Sequence, residues 1–154
     1  MQNILYSVDS FMIFNKEVLL LHRDNIPHIE NPNTWCLPGG TLEKNEDKYE
    51  GLLHELQEET SIAPQNNFYL GSYDLNNYEI AYLFLSTLTE TEKDNVKLGN
   101  EGQELRFFSF GELSNLPLAS NLNMLLAKYS DILREMIEQG TEKEIIKSQL
   151  QLSP

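Results

Sequence analysis

Glu55, Glu58 and Glu59 stand three and four positions apart in the segment GTLEKNEDKYEGLLHELQEETSI, which runs from Gly40 to Ile62. On a helix, residues i, i+3 and i+4 share a face, so three carboxylates converge there, and their repulsion is costly unless a cation lies between them. Carboxylate oxygens suit Mg²⁺ or Mn²⁺. Immediately upstream, Leu37-Pro38-Gly39-Gly40 supplies a turn whose glycines allow close backbone approach and whose carbonyl can add another oxygen ligand. The two pieces together describe a metal cradle.

The same stretch resembles the Nudix box, G-x5-E-x7-R-E-U-x-E-E-x-G-U, where U is a bulky aliphatic. Gly40 takes the opening glycine, Glu46 the first glutamate, Glu55 and Leu56 the E-U pair, Glu58 and Glu59 the E-E pair, and Ile62 the closing aliphatic. Two positions depart: His54 stands in place of the arginine and Ser61 in place of the second glycine. The resemblance implies that Glu55, Glu58 and Glu59, with the Gly39 carbonyl, hold one or more Mg²⁺ ions that bridge a diphosphate. It also gives Glu46 a supporting role through hydrogen bonds.

The physical need for metal is direct, because water must attack a phosphorus already surrounded by negative oxygens. A divalent ion neutralises that charge and acidifies the water. One further carboxylate must accept the proton, and Glu58, Glu101 and Glu104 are candidates. Glu101 is favoured, since it opens the run Glu101-Gly102-Gln103 and similar enzymes place such a glutamate at the metal site; the alternative is ordinary loop charge. Arg23 and Arg106 are candidates for a substrate phosphate, against the reading of plain surface arginines. Trp35 and Tyr78 are candidates for stacking on a nucleobase, against packing at a core or rim. Tyr78 lies close to where family members acting on dinucleoside polyphosphates carry a tyrosine, and no proline is found nearby, which removes one mark of an ADP-ribose specialist.

The family arginine at position 54 pairs with a glutamate and orients the metal-binding residues. Histidine is shorter and partly protonated near neutral pH, but it can donate to Glu50 or Glu58, one helical turn away. Reduced rather than absent activity is the expectation. Ser61 occupies a helix end that often needs a positive φ, at a cost of roughly 1 kcal/mol or more for a non-glycine residue.

These groups must be positioned by regular elements. Ile4 to Phe14 and Val18 to Leu21 read as a hairpin about Asn15-Lys16, and Asp24 to Thr34 as a surface loop. From Asp47, whose pairing with Glu50 suggests a capping box, the spacing of Tyr49, Leu52, Leu53 and Leu56 predicts a helix with a core edge beside its metal edge. Gly51 within it implies close approach to a neighbour. Phe68 to Tyr73, Tyr78 to Leu88 and Leu105 to Phe110 read as strands, the second apolar on both faces and so covered on both sides. Thr89 to Gly102 reads as a long mobile connection able to reach over a site. A second helix follows Pro117, with a stripe from Leu122 to Ile137 and a stop at Gly140. Thr141 and Glu144 suggest a cap for a short terminal helix.

With 154 residues and 40% hydrophobic content, the chain is long enough for one core. The pattern predicts an α/β class: a mixed central sheet in an α/β/α sandwich, the fold that the resemblance implies, over 1–139, with a helical extension over 140–154. A net charge of −13, from 24 acidic and 11 basic residues, disfavours nucleic-acid polymers and anionic membranes as partners. One cysteine, Cys36, cannot form an internal disulfide, and no apolar run approaches the roughly 20 residues of a membrane span, so the expected setting is cytoplasmic. The leading reading is a Mg²⁺-dependent hydrolase cleaving the pyrophosphate of a nucleoside diphosphate linked to another moiety. A second is a nucleotide-binding sensor or interaction domain of the same fold. A third makes the Leu122–Ile137 stripe a homodimer or partner interface.

Overall fold

The computed structural model describes residues 3–154; Met1 and Gln2, at the start of the domain expected over 1–139, lie outside them. Strict alternation of apolar side chains builds a sheet with two buried faces. In β1 (Leu5–Phe14) Phe11 faces one core and Met12 the other. In β2 (Glu17–His22) Leu20 and Leu19 divide in the same way, as do Leu83 and Phe84 in β6 (Glu79–Thr87). The period of two makes this division automatic.

Two short strands lie between the first hairpin and the first helix: β3 (Trp35–Cys36) and β4 (Gly39–Thr41). β5 (Asn66–Asn76) and β7 (Glu104–Ser109) complete seven strands. The main order is β3-β2-β1-β6-β5, with β4 paired to β1 and β7 to β2. β1 and β6 run parallel over Leu5–Ile13 and Glu79–Thr87, while the other pairs are antiparallel, so the sheet is mixed. At the hairpin, Asn15 and Lys16 both take positive φ, 47° and 65°, the geometry of a tight turn between twisted strands.

Helix α1 (Lys48–Thr60) covers one sheet face with Leu52 and Leu56, fully buried and each contributing about 1.5–3 kcal/mol by removal from water. Asp47 caps it, its Oδ2 accepting from the N–H groups of Tyr49 and Glu50 at 3.0 and 3.1 Å. Of the predicted stripe, Leu53 is half-buried and Tyr49 lies largely exposed at the edge of Phe84. Gly51 is as close to its neighbour as expected, for a Cβ there would overlap Cδ2 of Leu42.

α1 ends on Ser61 at φ 67°, the left-handed conformation that its replacement of glycine made costly. The structure adds a compensation, since Ser61 Oγ donates to the Lys97 carbonyl at 2.7 Å. Ser61→Gly therefore relieves strain but loses a hydrogen bond of about 1 kcal/mol, and its melting temperature should differ little from the parent's. Ser61→Ala keeps the strain and loses the bond. It should be less stable than either, by about 1 kcal/mol in a denaturant titration.

The connection from Thr89 to Gly102 is not the loose segment expected. It contains α2 (Glu90–Asp94), closed by a capping box between Thr89 and Glu92, and is tied to the end of α1 by Lys97 N–H to Thr60 O at 2.9 Å. A 3-10 turn (Phe110–Asn115) leads to α3 (Ser120–Glu138), whose helical geometry breaks at Tyr129, and then to α4 (Lys143–Leu150). The turn after α3 places Gly140 at φ 60°. α4 starts after Glu142 without a side-chain cap, so the cap predicted from Thr141 and Glu144 is not formed. α3 and α4 cover the second sheet face, giving the α/β/α sandwich. The stripe of α3 is consumed there: Leu122, Leu125, Ile132, Leu133, Met136 and Ile137 are buried with Ile146 and Leu150 of α4. Leu126 and Tyr129 of the same stripe are partly buried against this core. Beyond α4, Ser153 exchanges backbone hydrogen bonds with Ser72 of β5, at 2.7 and 3.1 Å.

Candidate active site

The last two turns of α1 lie against β4. Glu59 Oε1 accepts the Gly39 N–H at 2.8 Å, fixing that buried carboxylate on the turn before the helix. Gly40 leaves room for the neighbouring carboxylate, because a Cβ there would overlap Oε2 of Glu55 and push that side chain aside. The glycine pair and the glutamates thus form one packed unit, with helix spacing setting one half and strand pairing to β1 the other.

Glu101 arrives from the opposite direction. Gly99 lies so close to α1 that a Cβ would overlap the Glu58 carbonyl, and its N–H donates to Glu59 O at 3.2 Å. On the far side, Gly102 N–H donates to Asp24 Oδ2 at 3.1 Å and Gln103 N–H to His22 O at 2.7 Å. The Gln103 side chain adds bonds to the Arg23 carbonyl and Asn33 Oδ1, at 2.8 and 3.0 Å. Held from both ends, Glu101 joins Glu55, Glu58 and Glu59 around a cavity of about 320 Å³.

The electrostatics of this cavity are those of an anion cluster that Arg23 and His54 offset only in part. Burial pushes Glu59 up to about 7, against the Gly39 hydrogen bond, and the charges of Glu55 and Glu101 push the same way. Glu55 is also raised, first by burial and then by Glu58. A cation would relieve both. Four carboxylates beside a glycine at which a Cβ would displace Glu55 fit a hard divalent ion. As they are placed, no three His, Cys, Asp or Glu groups among the described residues stand at common-ion distance. Sharing an ion therefore requires rotation of the long glutamate side chains, of which Glu58 and Glu101 are exposed.

His54 reaches Glu58, Nε2 to Oε1 at 3.1 Å, and Glu46, Nδ1 to Oε2 at 3.8 Å; Glu50 is not its partner. Glu46 Oε1 in turn accepts the Glu43 N–H at 3.0 Å. The substituted side chain thus still spans the two glutamates, but on an exposed surface and with a ring that is charged only when protonated. His54→Arg supplies a permanent charge and a second donor edge. A rise in kcat of up to about tenfold is expected in steady-state assay, with little change in melting temperature.

Other expected residues are placed differently. Trp35 is buried, stacked on His22 with centroids 4.5 Å apart and meeting Phe108 edge-on, so its ring is core and not free for a base. Arg106 lies over Trp35 and pairs with Glu104 at 3.0 Å, which takes both away from the carboxylate cavity. Tyr78 is exposed on the β5–β6 turn. Arg23 is well placed, half-buried, its Nε donating to Glu30 O at 3.0 Å, and it lines two cavities. One holds Glu59 and Glu101; the other holds Gly39 and Gly40.

The second of these cavities was not anticipated. It is lined by Asp9 of β1 and Asn121 of α3, and both belong to a network with Tyr73 of β5. Burial raises Asp9 to about 7, opposed by the Tyr73 hydrogen bond. The signal available in sequence was a charged residue, Asp9, in the middle of a strand that otherwise carries none. Cys36 is buried, and burial pushes its thiol up to about 12, so it is no nucleophile.

A family model of the NUDIX domain matches residues 5–129. Among curated proteins, an ADP-ribose pyrophosphatase of Methanocaldococcus jannaschii is 30% identical over 116 residues, covering 72% of this chain and 63% of that protein. An RNA pyrophosphohydrolase of Azorhizobium caulinodans is 43% identical over 53 residues, 32% of each chain. The chain therefore spans less than two thirds of either relative's length. A solved MutT protein from Methanosarcina mazei Go1 has a TM-score of 0.69 at 25% identity, covering 84% of this chain and 95% of that one. A mutT/nudix family protein from Listeria innocua, at 23% identity and a TM-score of 0.70, covers 88% and 98% and shares the fold.

Proposed function

Because this chain belongs to the NUDIX family, we propose that it hydrolyses the pyrophosphate bond of a nucleoside diphosphate linked to another moiety, such as a nucleoside triphosphate, dinucleoside polyphosphate or nucleotide sugar. The observation that carries this reading is the gathering of Glu55, Glu58, Glu59 and Glu101 around one cavity beside Gly39 and Gly40. Bound Mg²⁺, with Mn²⁺ as a substitute, would supply charge neutralisation of the diphosphate and acidification of water. Glu55, Glu58 and Glu59, with the Gly39 carbonyl, would hold it.

Glu101 takes the proton of the attacking water, from a backbone anchored independently of α1's side chains. Arg23, between the two cavities, is positioned for a phosphate oxygen once its bond to Glu30 is exchanged. Glu46 and His54 hold Glu58 in orientation.

The test is a panel of ADP-ribose, nucleotide sugars, dinucleoside polyphosphates and nucleoside triphosphates, assayed with and without Mg²⁺ and repeated with Glu58→Gln. Metal-dependent release of phosphate-containing products from at least one compound, lost in the variant, is expected. A 5′-triphosphorylated RNA should be the poorest substrate given the net charge of −13. Silence across the panel, with nucleotide still bound, would instead favour the sensor reading.

A further inference from the structure

Asp9 is 8% exposed in the middle of β1, and its two oxygens are treated unequally. Oδ2 accepts from the Tyr73 hydroxyl at 3.1 Å and from Asn121 Nδ2 at 3.4 Å, while Asn121 Nδ2 also lies 3.3 Å from the Tyr73 oxygen. Oδ1 is buried and has no partner among the described residues. A buried carboxylate oxygen left unpaired is costly, so a structure that keeps one has a use for it or a missing partner.

The position suggests the use. Asp9 and Asn121 line a cavity of about 310 Å³ that also contains Arg23, Gly39 and Gly40. The last two are the cradle of the carboxylate site, and Arg23 is shared with the cavity around Glu59 and Glu101. A substrate whose diphosphate lies at the glutamates would extend its non-phosphate half into this space. An aspartate there repels phosphate but accepts a hydrogen bond from a neutral donor.

We propose that this cavity holds the nucleoside or sugar half of the substrate, with Asp9 Oδ1 accepting a hydrogen bond from a hydroxyl or amino group on it. Asp9 is then a specificity residue. The proposal rests on the pyrophosphohydrolase reading for the placement of the diphosphate. It adds a recognition element that neither the glutamates nor Arg23 supplies.

Asp9→Asn tests it through polarity. The donors Tyr73 and Asn121 will orient the new amide with its oxygen toward them, which leaves an N–H₂ where Oδ1 was and turns an acceptor into a donor. Binding of AMP and of ribose 5-phosphate is measured calorimetrically for both proteins without added metal. Neither probe has a pyrophosphate bond, so the result is separate from turnover. The expected result is that at least one probe binds about tenfold or more weakly to the variant, the size of one lost hydrogen bond. A loss confined to AMP assigns the donor to the base, and a loss for ribose 5-phosphate assigns it to a sugar hydroxyl. Equal affinities in a folded variant, or no binding of either probe to the parent at millimolar concentration, would overturn the proposal. If the variant does not fold, side-chain amide resonances of the parent decide: that of Asn121 should shift on adding the probes, and an unmoved resonance rejects the idea. Should binding behave as expected while the pyrophosphate panel stays silent, the hydrolase reading alone fails.

Discussion

Glu101→Gln is expected to lower kcat by about 10²- to 10⁴-fold, the range set by removing a positioned proton acceptor, with KM little changed. Glutamine has nearly the same shape and cannot take a proton at neutral pH. The fold should be untouched, because the connection is held by N–H groups of Lys97, Gly99, Gly102 and Gln103 and not by this carboxylate. Steady-state kinetics with saturating Mg²⁺ would check it. A full rate in Glu101→Gln beside a large loss in Glu58→Gln would move the base to Glu58. Glu104→Gln should be close to the parent, since that side chain is engaged by Arg106.

Glu59→Gln should separate metal binding from folding. The glutamine oxygen can still accept the Gly39 N–H, so the turn before α1 keeps its tether. The charge is lost at a buried position where burial and the charges of Glu55 and Glu101 already disfavour it. The metal-free variant should therefore melt no lower than the parent. Addition of Mg²⁺ should raise the parent's melting temperature by mass action and leave the variant's almost unmoved. Turnover at fixed Mg²⁺ should fall by at least about 10–100-fold, the loss that follows even from disturbing a ligand's outer partner. Glu50→Gln, an exposed change on the same helix, serves as the comparison. A Mg²⁺ response that survives intact in Glu59→Gln would remove this residue from the metal set.

What was legible in the sequence followed from periodicity and from side-chain spacing. The leucines of α1, the apolar run of β6 and the long stripe of α3 each extend far enough to declare their element. β3 and β4 contain two and three residues and show no period, so only their pairing to β2 and β1 reveals them. The segment from Thr89 to Gly102 is polar and looks loose, yet its order comes from backbone bonds to Glu59 and Thr60, some forty residues away in sequence, which no local pattern encodes. The departures at His54 and Ser61 were visible, and so was Glu58 as a partner one turn from His54, but Glu46 and the Lys97 carbonyl were not. Trp35 shows the converse: an aromatic beside a loop suits a binding platform until His22 and Phe108 are found on its faces.

The bonds between Ser153 and Ser72 acquire meaning from the sheet order, in which β5 is the terminal strand. An uncovered terminal strand offers a row of free amides and carbonyls to any other extended chain. By laying Ser153 along that margin, the segment after α4 occupies the edge at Ser72, where an added strand would have to pair. Removing Ser153 and Pro154 would then spare every glutamate of the cavity and the core side chains Ile146 and Leu150 of α4, and still yield a protein prone to joining others of its kind through β5.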